Sequence, residues 1–271
     1  MLLKLLENKL SLIGLAMIAL LFALAALAPA IAPHSPNVQH LTKRLEGPSA
    51  QYLLGTDDLG RDTFSRMLYG VRISLTVGFV AVSISVVIGT LLGLISGYFG
   101  GWVDTLVMRF VDIMLCFPTF FLILLVIAFL EPSIYNVMIV IGLTSWPGLT
   151  RLVRAEVLSM KEREFILAAR LLGLKNSRIF LVQLLPNIIS PIIVSATLGV
   201  GDAILTESGL SFLGLGVQPP MASWGQMLAS GKEYIYIAWW LTLFPGLAIL
   251  LSVMSFNLLG EGLRDIIDPR K

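Results

Sequence analysis

The sequence predicts an all-α integral membrane protein with six transmembrane helices. Hydrophobic residues make up 56% of the 271-residue chain and charged residues only 13%, which is too little polar material for a surface that faces water on all sides. Six stretches are long enough to cross a hydrocarbon core as helices, which takes about 20 apolar residues each. One long polar stretch, residues 155–187, interrupts them and predicts a helix–turn–helix outside the membrane.

The six predicted spans place both ends of the chain on one side of the membrane, because their number is even. They cover residues 11–32, 73–96, 105–130, 134–154, 188–208 and 239–259. Lys and Arg accumulate on the cytoplasmic side of membrane proteins, and about twice as many of them fall on the side of the N-terminus as on the other. We therefore expect residues 1–10, 155–187 and 260–271 to be cytoplasmic, and residues 73–259 to form a five-helix core.

The first span also has some features of a secretory signal. Lys4 and Lys9 precede an apolar run, and the sequence APAIA at its end has the small residues of a cleavage site. The run is longer than the apolar core of a usual signal, which has about 7–15 residues. The sequence therefore predicts an uncleaved anchor helix.

Residues 33–72 are polar and rich in turn-forming residues, and we expect them to form an external cap. Ser49 and Thr56 are candidate first residues of short helices. Four charged residues follow at a spacing that suits ion pairs within a helix: Asp57, Asp58, Arg61 and Asp62. His34 and His40 also lie here without companions in a ligand pattern, so a surface role is favoured over a metal site.

A second external segment, residues 209–238, follows the fifth predicted span. It contains too much glycine and proline to cross lipid, so we expect it to lie at the surface or to re-enter the membrane. Trp239 and Trp240 follow it, and their position predicts a place in the aromatic belt at the membrane interface.

Four ionisable residues inside the predicted spans are candidates for the translocation pathway or for helix pairing: Arg109, Asp112, Asp202 and Glu207. A charge in lipid is costly and needs a partner or a water-filled path. Arg109 and Asp112 are three residues apart, which predicts an ion pair within one helix. Asp202 and Glu207 are five apart and face different neighbours, and Asp202 is the candidate for shaping a cavity. A stripe of Gly89, Gly93 and Gly97 predicts close helix packing.

The polar stretch 155–187 predicts two short helices around Gly173, where the first helix stops. Four residues of the first helix share one face at i, i+3, i+4 and i+7: Phe165, Ala168, Ala169 and Leu172. Asn176 or Ser177 caps the second helix, which should end before Pro186. The small alanines beside Phe165 suit the close docking of another protein. An amphipathic helix that lies on the lipid surface is the alternative.

These residues resemble the EAA loop, the ATPase-docking element of ABC importer permeases. Ala168, Ala169, Gly173 and Pro186 match its pattern, whereas Leu167 and Gln183 depart from it. The sequence REFILAARLLG is similar to the version in the dipeptide, oligopeptide and nickel branch, in which the acidic residue lies earlier, here at Glu164. Two further stretches resemble the second, C-type permease of that branch: LGTDDLGRDTFSRMLYGVRISL at 54–75 and ILTESGLSFLGLGVQPPMASWG at 204–225.

The resemblance implies the fold of a type I ABC importer permease in a bacterial or archaeal plasma membrane. It implies that this chain pairs with a homologous permease subunit, two ATP-binding subunits and an extracytoplasmic substrate-binding protein. The coupling to ATP hydrolysis would then use six residues: Glu164, Phe165, Ala168, Ala169, Gly173 and Pro186. The external cap would help to receive the binding protein, and the partner ATPases would use ATP and Mg.

The sequence carries no pattern of an enzyme site. It contains no phosphate-binding glycine loop, zinc helix or nucleophile elbow, so we expect no cofactor on this chain, and a net charge of +2 does not suggest a nucleic-acid partner. Small peptides are the favoured substrate, and nickel or a metal chelate is the alternative. A transporter driven by an ion gradient, or a channel, is the alternative from another class, but it would be expected to show internal repeats and midplane acids.

Overall fold

A computed structural model describes residues 8–267, and no β-strand occurs within them. The elements are α1 (Lys9–Ile31), α2 (Thr63–Phe99), α3 (Gly101–Cys116), α4 (Thr119–Ala128), α5 (Ile134–Met160), α6 (Glu164–Leu171), α7 (Asn176–Arg178), α8 (Leu185–Phe212), α9 (Trp224–Gly231) and α10 (Trp240–Ile267). The predicted all-α class is confirmed. Parts of the predicted cytoplasmic termini, residues 1–7 and 268–271, lie outside the described residues.

The count of six spans is not reproduced. Within residues 8–267, four helical stretches are long and apolar enough to cross a membrane: α1, α2, α10 and the continuous stretch Asn176–Phe212. Helices α3 and α4 reach that standard only as a pair, bent by 84°, so the total is five if the pair is one span. Pro118 explains the bend, because the residue before a proline is driven into extended geometry, and Phe117 has φ −98° and ψ 134°.

Helix α5 covers the predicted span 134–154 and extends beyond it to Met160, but it does not meet the same standard of apolarity. Its C-terminal half carries Arg151, Arg154 and Glu156. It is nevertheless central to the fold, because one side of it lies along α2, where Val137, Val153 and Val157 are buried. Helix α5 is therefore held in the bundle by the burial of its apolar side chains against α2.

Helices α2 and α5 pack closely along the glycine stripe. The prediction of close packing at these glycines is therefore confirmed. A Cβ atom added at Gly93 would lie 2.6 Å from Cβ of Val153, and one at Gly97 would lie 2.8 Å from Cβ of Val157. Real Cβ atoms do not approach so closely, so only glycine permits this helix spacing. The other side of α2 packs against α8, where Gly78 faces Val200.

Helix α2 begins at Thr63 and not at residue 73, so the external cap is shorter than the predicted 33–72. Asp62 is the cap residue, and its carboxylate accepts a hydrogen bond from the backbone N–H of Ser65. The first turns of α2 are polar. A prediction from hydrophobicity alone therefore set the start of this helix too late in the sequence.

The external cap folds as a loop with one 3₁₀ turn, Leu41–Lys43. The helices predicted to start at Ser49 and Thr56 do not form, because Gly55 and Gly60 adopt positive φ values of 73° and 71° and turn the chain. Thr56 instead forms an isolated bridge with Asp62. The cap is held to the last helix, since Trp240 Nε1 donates a hydrogen bond to the carbonyl of Thr56 at 3.2 Å. Trp240 is therefore buried against the cap, whereas Trp239 is half exposed, and a place for the two in the aromatic belt stays a prediction.

Candidate coupling surface and translocation cavity

Helix α6 ends where the sequence predicts. Its last residue is Leu171, and Gly173 follows with φ 71°. The N–H of Leu174 donates to the carbonyl of Ala169 at 3.1 Å, and the N–H of Gly173 donates to Arg170 at 2.9 Å, which closes the helix end. A Cβ atom at Gly173 would meet nothing within 4 Å. Backbone conformation, and not lack of space, is therefore what requires glycine there.

The predicted apolar face of α6 is divided between two environments. Ala169 is buried together with Ile166, and both pack into a cluster that includes Val157, Ile179 and Leu184. Phe165, Ala168, Leu171 and Leu172 are exposed, and Leu171 and Leu172 are 89% and 81% accessible. We call these four exposed residues the docking face. The prediction that Ala169 belongs to the same exposed face is wrong, because Ile166 and Ala169, three apart, define the inner side of the helix.

The second predicted helix does not end before Pro186. A single turn, α7, passes into a π-helical turn at Ile179–Leu184 and then into α8 without a break. Pro186 is the second residue of α8 and directly follows the π-helical turn, so the helix continues although proline has no N–H to donate. The N–H of Leu185 reaches back to the carbonyl of Phe180, and this wide turn accommodates the proline. Pro186 thus connects the loop to the fifth predicted span.

Tyr98, near the end of α2, joins the elements of the polar loop. Its hydroxyl donates to Asn176 Oδ1 at 3.1 Å and accepts from Arg170 Nε at 3.2 Å. The Arg170 guanidinium also lies over the ring at 4.4 Å, and the Phe180 ring packs edge-on at 4.9 Å. Sequence reasoning missed this residue. The aromatic pair Tyr98–Phe99, directly after the glycine stripe, was the available signal.

A bidentate ion pair holds α3 and α5 together beside this junction. Arg154 Nε and Nη2 each lie 2.5 Å from an oxygen of Asp104, and the Ser96 hydroxyl on α2 donates to the same carboxylate. The structure therefore joins three helices at one carboxylate. Asp104 and Arg154 were absent from the predicted site residues.

Asp112 pairs with a residue of another helix. Arg151 Nη2 on α5 lies 2.5 Å from Asp112 Oδ1, and both side chains are about half exposed. Arg109 is exposed on α3. The predicted Arg109–Asp112 pair is wrong, because the packing of α3 beside α5 brings a better-placed guanidinium to the carboxylate.

A cavity of about 530 Å³ lies among α2, α5, α8 and the bend between α3 and α4. Its polar lining consists mainly of hydroxyl groups: Ser85, Thr119, Thr144, Ser145, Ser195 and Thr206. Asp202 is the one charged residue among the described residues that line it. Glu207 is not part of this lining.

Glu207 fastens the second external segment to α8. It is fully buried, and its Oε1 accepts hydrogen bonds from Ser211 at 2.7 Å and Ser223 at 2.8 Å. Ser223 also caps α9 by accepting from the N–H of Gln226 at 3.1 Å. The Glu207 carboxylate is therefore a structural link, whereas Asp202 faces open space.

The charged residues of the cap come together as predicted, but in a turn and not in a helix. Arg61 Nε lies 2.7 Å from Asp57 Oδ2, and Arg61 also lies 3.7 Å from Asp58. Arg66 joins them, with its Nε 3.5 Å from Asp57 Oδ2, and its Nη2 donates to Gln226 on α9 at 3.1 Å. Asp57, Arg61 and Asp62 are buried.

Burial raises the pKa of Asp58, with the neighbouring Asp57 as the second cause. The cluster fixes the shape of the cap.

These features define a class of protein: a multi-pass membrane transport subunit, with a polar cavity among its spans and an apolar docking face on a short helix outside them. Residues 89–271 match the family described as the inner membrane component of binding-protein-dependent transport systems. Residues 1–48 match the N-terminal transmembrane domain of oligopeptide transport permease C. The chain belongs to this family of ABC importer permeases, and the resemblance found in its sequence is confirmed.

Relatives match over nearly the full chain. The chain is 48% identical to a dipeptide transport system permease protein of Alkalihalophilus pseudofirmus, over 97% of this chain and 87% of the relative. It is 46% identical to a di/tripeptide transport system permease protein of Pseudomonas aeruginosa, over 97% and 89%. The fold is similar to a chain of the MetNI methionine ABC transporter in an inward-facing conformation, with a TM-score of 0.59, 20% identity, and coverage of 76% and 98%. The predicted type I importer fold is confirmed.

Proposed function

We propose that this chain forms half of the translocation pathway of an ATP-driven importer of small peptides. A homologous permease subunit supplies the other half, two ATP-binding subunits hydrolyse ATP with Mg, and an extracytoplasmic binding protein delivers the peptide. The observation that supports this proposal most directly is the exposed docking face of α6, whose opposite side lies in one buried cluster with residues of α5 and α8. The names of the relatives, dipeptide and di/tripeptide permeases, favour peptides over nickel.

The docking face suits a groove on an ATP-binding subunit. Phe165, Leu171 and Leu172 expose apolar area that a soluble surface would not leave uncovered, and Ala168 allows close approach between them. The alternative, a helix that lies on lipid, requires the same face to contact acyl chains. Docking is favoured because the inner residues Ile166 and Ala169 are buried in a cluster with residues of the bundle, which orients the exposed face away from it.

Movement of the docking face would reach the cavity through three helices. The inner side of α6 packs with Val157 of α5 and Ile188 of α8, and Tyr98 ties Arg170 to α2. Helices α2, α5 and α8 all contribute to the cavity wall. A shift of α6 as the ATPases close is thus expected to move these helices together between two packed arrangements, which exposes the cavity to each side in turn.

Uptake of a labelled dipeptide and of labelled nickel tests this proposal in cells that contain or lack the chain. ATP is depleted while the ion gradient is held constant, so that a gradient-driven transporter would keep its activity. We expect dipeptide uptake that depends on the chain and on ATP. Uptake of nickel but not of the dipeptide would contradict the assignment of peptides as the substrate. Uptake that survives ATP depletion would contradict the ATP-driven mechanism.

The Ala168→Glu variant tests the docking face directly. A buried, unpaired carboxylate at an apolar interface is costly, so we expect the variant to insert in the membrane but to lose copurification with the ATP-binding subunits. Leu53→Asp is the control, because Leu53 is also exposed but lies in the external cap. Retained copurification in Ala168→Glu would contradict the docking assignment.

A further inference from the structure

We propose that Asp202 attracts the cationic groups of a peptide in the cavity and so makes the pathway favour cationic over acidic peptides. This inference rests on the proposed function, since it names the charge class of the substrate of the same pathway. It begins with the lining of the cavity, in which the described residues supply one carboxylate, several hydroxyl groups and no basic side chain. The electrostatic potential of this half of the pathway is therefore negative near Asp202.

The Asp202 side chain is exposed to the cavity and is free to meet a substrate. Among the described residues no ion pair or side-chain hydrogen bond includes its carboxylate. The neighbouring Thr206 hydroxyl donates to the backbone carbonyl of Asp202 at 2.7 Å and not to its carboxylate. Other acids of the chain are engaged, as Asp104 is with Arg154 and Glu207 is with two serines. An unpaired carboxylate on a membrane helix marks a functional path.

The size of the cavity suits a small peptide. Its volume of about 530 Å³ lies within the range of about 300–1,000 Å³ that is usual for small-ligand sites. Small residues, such as Ala81, Gly148 and Gly199, leave room beside Asp202 on three helices. The hydroxyl of Ser195 can donate to a peptide, and that of Ser145, which donates to the Ile141 carbonyl at 2.7 Å, can accept from one; neither bond depends on the sequence of the peptide.

The donor set favours an ammonium or guanidinium group over a metal ion. One carboxylate surrounded by hydroxyls lacks the imidazole or thiolate ligands that nickel-type ions prefer. A carboxylate and an ammonium group form a strong, charge-assisted hydrogen bond when water is partly excluded. Every unmodified peptide carries an α-ammonium group, and a lysine side chain adds a second cation, whereas an acidic side chain would be repelled.

The test compares charged dipeptides in the complete transporter, reconstituted in proteoliposomes with saturating binding protein. The variants are Asp202→Asn, Asp202→Glu and the control Glu131→Gln, which removes an exposed carboxylate that has no ion pair among the described residues and lies outside the cavity lining. The measured quantity is the ratio of the Lys-Lys to the Glu-Glu uptake rate. We expect this ratio to fall by about threefold to tenfold in Asp202→Asn and to be retained in Asp202→Glu and in the control.

The ratio separates electrostatic selection from a structural role. A merely structural Asp202 would lower the uptake of both peptides together, so an unchanged ratio in Asp202→Asn overturns the inference whether or not overall uptake falls. An equal fall of the ratio in Glu131→Gln also overturns it. If the unaltered complex shows no ATP-dependent peptide uptake, the proposed function fails first and this inference fails with it.

Discussion

Arg170 lies over the ring of Tyr98, with its guanidinium carbon 4.4 Å from the ring centre and its Nε donating to the Tyr98 hydroxyl at 3.2 Å. Arg170 belongs to the helix that carries the docking face, whereas Tyr98 is the last but one residue of the helix that lines the cavity through Ala81 and Ser85. The two residues are thus a direct contact between the candidate coupling surface and the pathway wall. A contact of this kind can transmit movement only if it persists when α6 moves.

Tyr98→Ala is expected to reduce peptide transport per ATP hydrolysed, because α6 and α7 lose their polar attachment to α2. Tyr98→Phe keeps the ring and its contacts with Arg170 and Phe180 but loses two hydrogen bonds, worth about 0.5–1.5 kcal/mol each. We expect an intermediate effect for it. The measurement is dipeptide uptake and ATP hydrolysis in the same proteoliposomes. Full coupling in Tyr98→Ala would show that the contact is dispensable.

The Asp104–Arg154 ion pair is expected to stabilise the folded protein. Asp104→Asn and Arg154→Gln should each lower the stability of the solubilised protein by about 1–2 kcal/mol, because the pair is bidentate, charge-assisted and partly shielded from water. Thermal unfolding in detergent measures the effect.

The exchanged pair, Asp104→Arg with Arg154→Asp, is the control for this prediction. It should recover part of the lost stability if the ion pair itself matters, although the Ser96 hydroxyl then loses its carboxylate partner. A loss of stability in the exchanged variant that equals the sum of the losses in Asp104→Arg and Arg154→Asp would contradict a direct interaction between the two side chains.

The sequence predicted features that depend on local pattern. Gly173 ends α6 because its backbone adopts φ 71°, and the helix-stop signal of glycine is local. The stripe at Gly89, Gly93 and Gly97 predicted close packing for the same reason, since spacing along one helix fixes which residues share a face.

The sequence did not predict features that depend on which helices become neighbours. Asp112 has Arg109 three residues away, yet it pairs with Arg151 on α5. Ala169 turns inward because α5 and α8 supply a cluster for it, and nothing in its own segment specifies that cluster. Long-range packing also brings Trp240, 184 residues along the chain, to the carbonyl of Thr56.

The raised pKa of Asp58 predicts that the stability of the external cap depends on pH. Burial and the nearby Asp57 raise the pKa of Asp58 above its ordinary value of 3.8, although Arg61 opposes the shift. The folded cap therefore binds a proton at Asp58 more tightly than the unfolded chain does. The contribution of this proton to the stability of the folded cap is complete below pH 3.8 and is lost as the pH rises through the raised pKa of Asp58.

Asp58→Asn should remove this dependence. We expect the variant to match or exceed the unaltered chain in cap stability at pH 7, and the advantage should disappear as the pH falls towards 4. Hydrogen exchange of the Leu59 and Arg61 amides, which donate to Asp57, measures opening of the cap. An advantage that is the same at both pH values would mean that ionisation of Asp58 is not the cause.

Two glycines allow a matched test of helix packing. Gly93→Ala would place a Cβ atom 2.6 Å from Cβ of Val153 and 2.9 Å from the carbonyl of Thr150, so α2 and α5 must move apart. We expect a loss of about 1–3 kcal/mol in stability, as overpacked cores show, together with reduced uptake, because both helices line the cavity. Thermal unfolding in detergent and dipeptide uptake are the two measurements.

Gly148→Ala is the control, since a Cβ atom at Gly148 meets nothing within 4 Å. It should not lower stability, because alanine has the higher helix propensity by about 1 kcal/mol. Gly148 lines the cavity, so a fall in its uptake without a fall in stability would indicate that the added methyl group obstructs the peptide. A stable Gly93→Ala variant would instead mean that the α2–α5 contact yields readily, and the rigid transmission from α6 to the cavity would then have to run through α8.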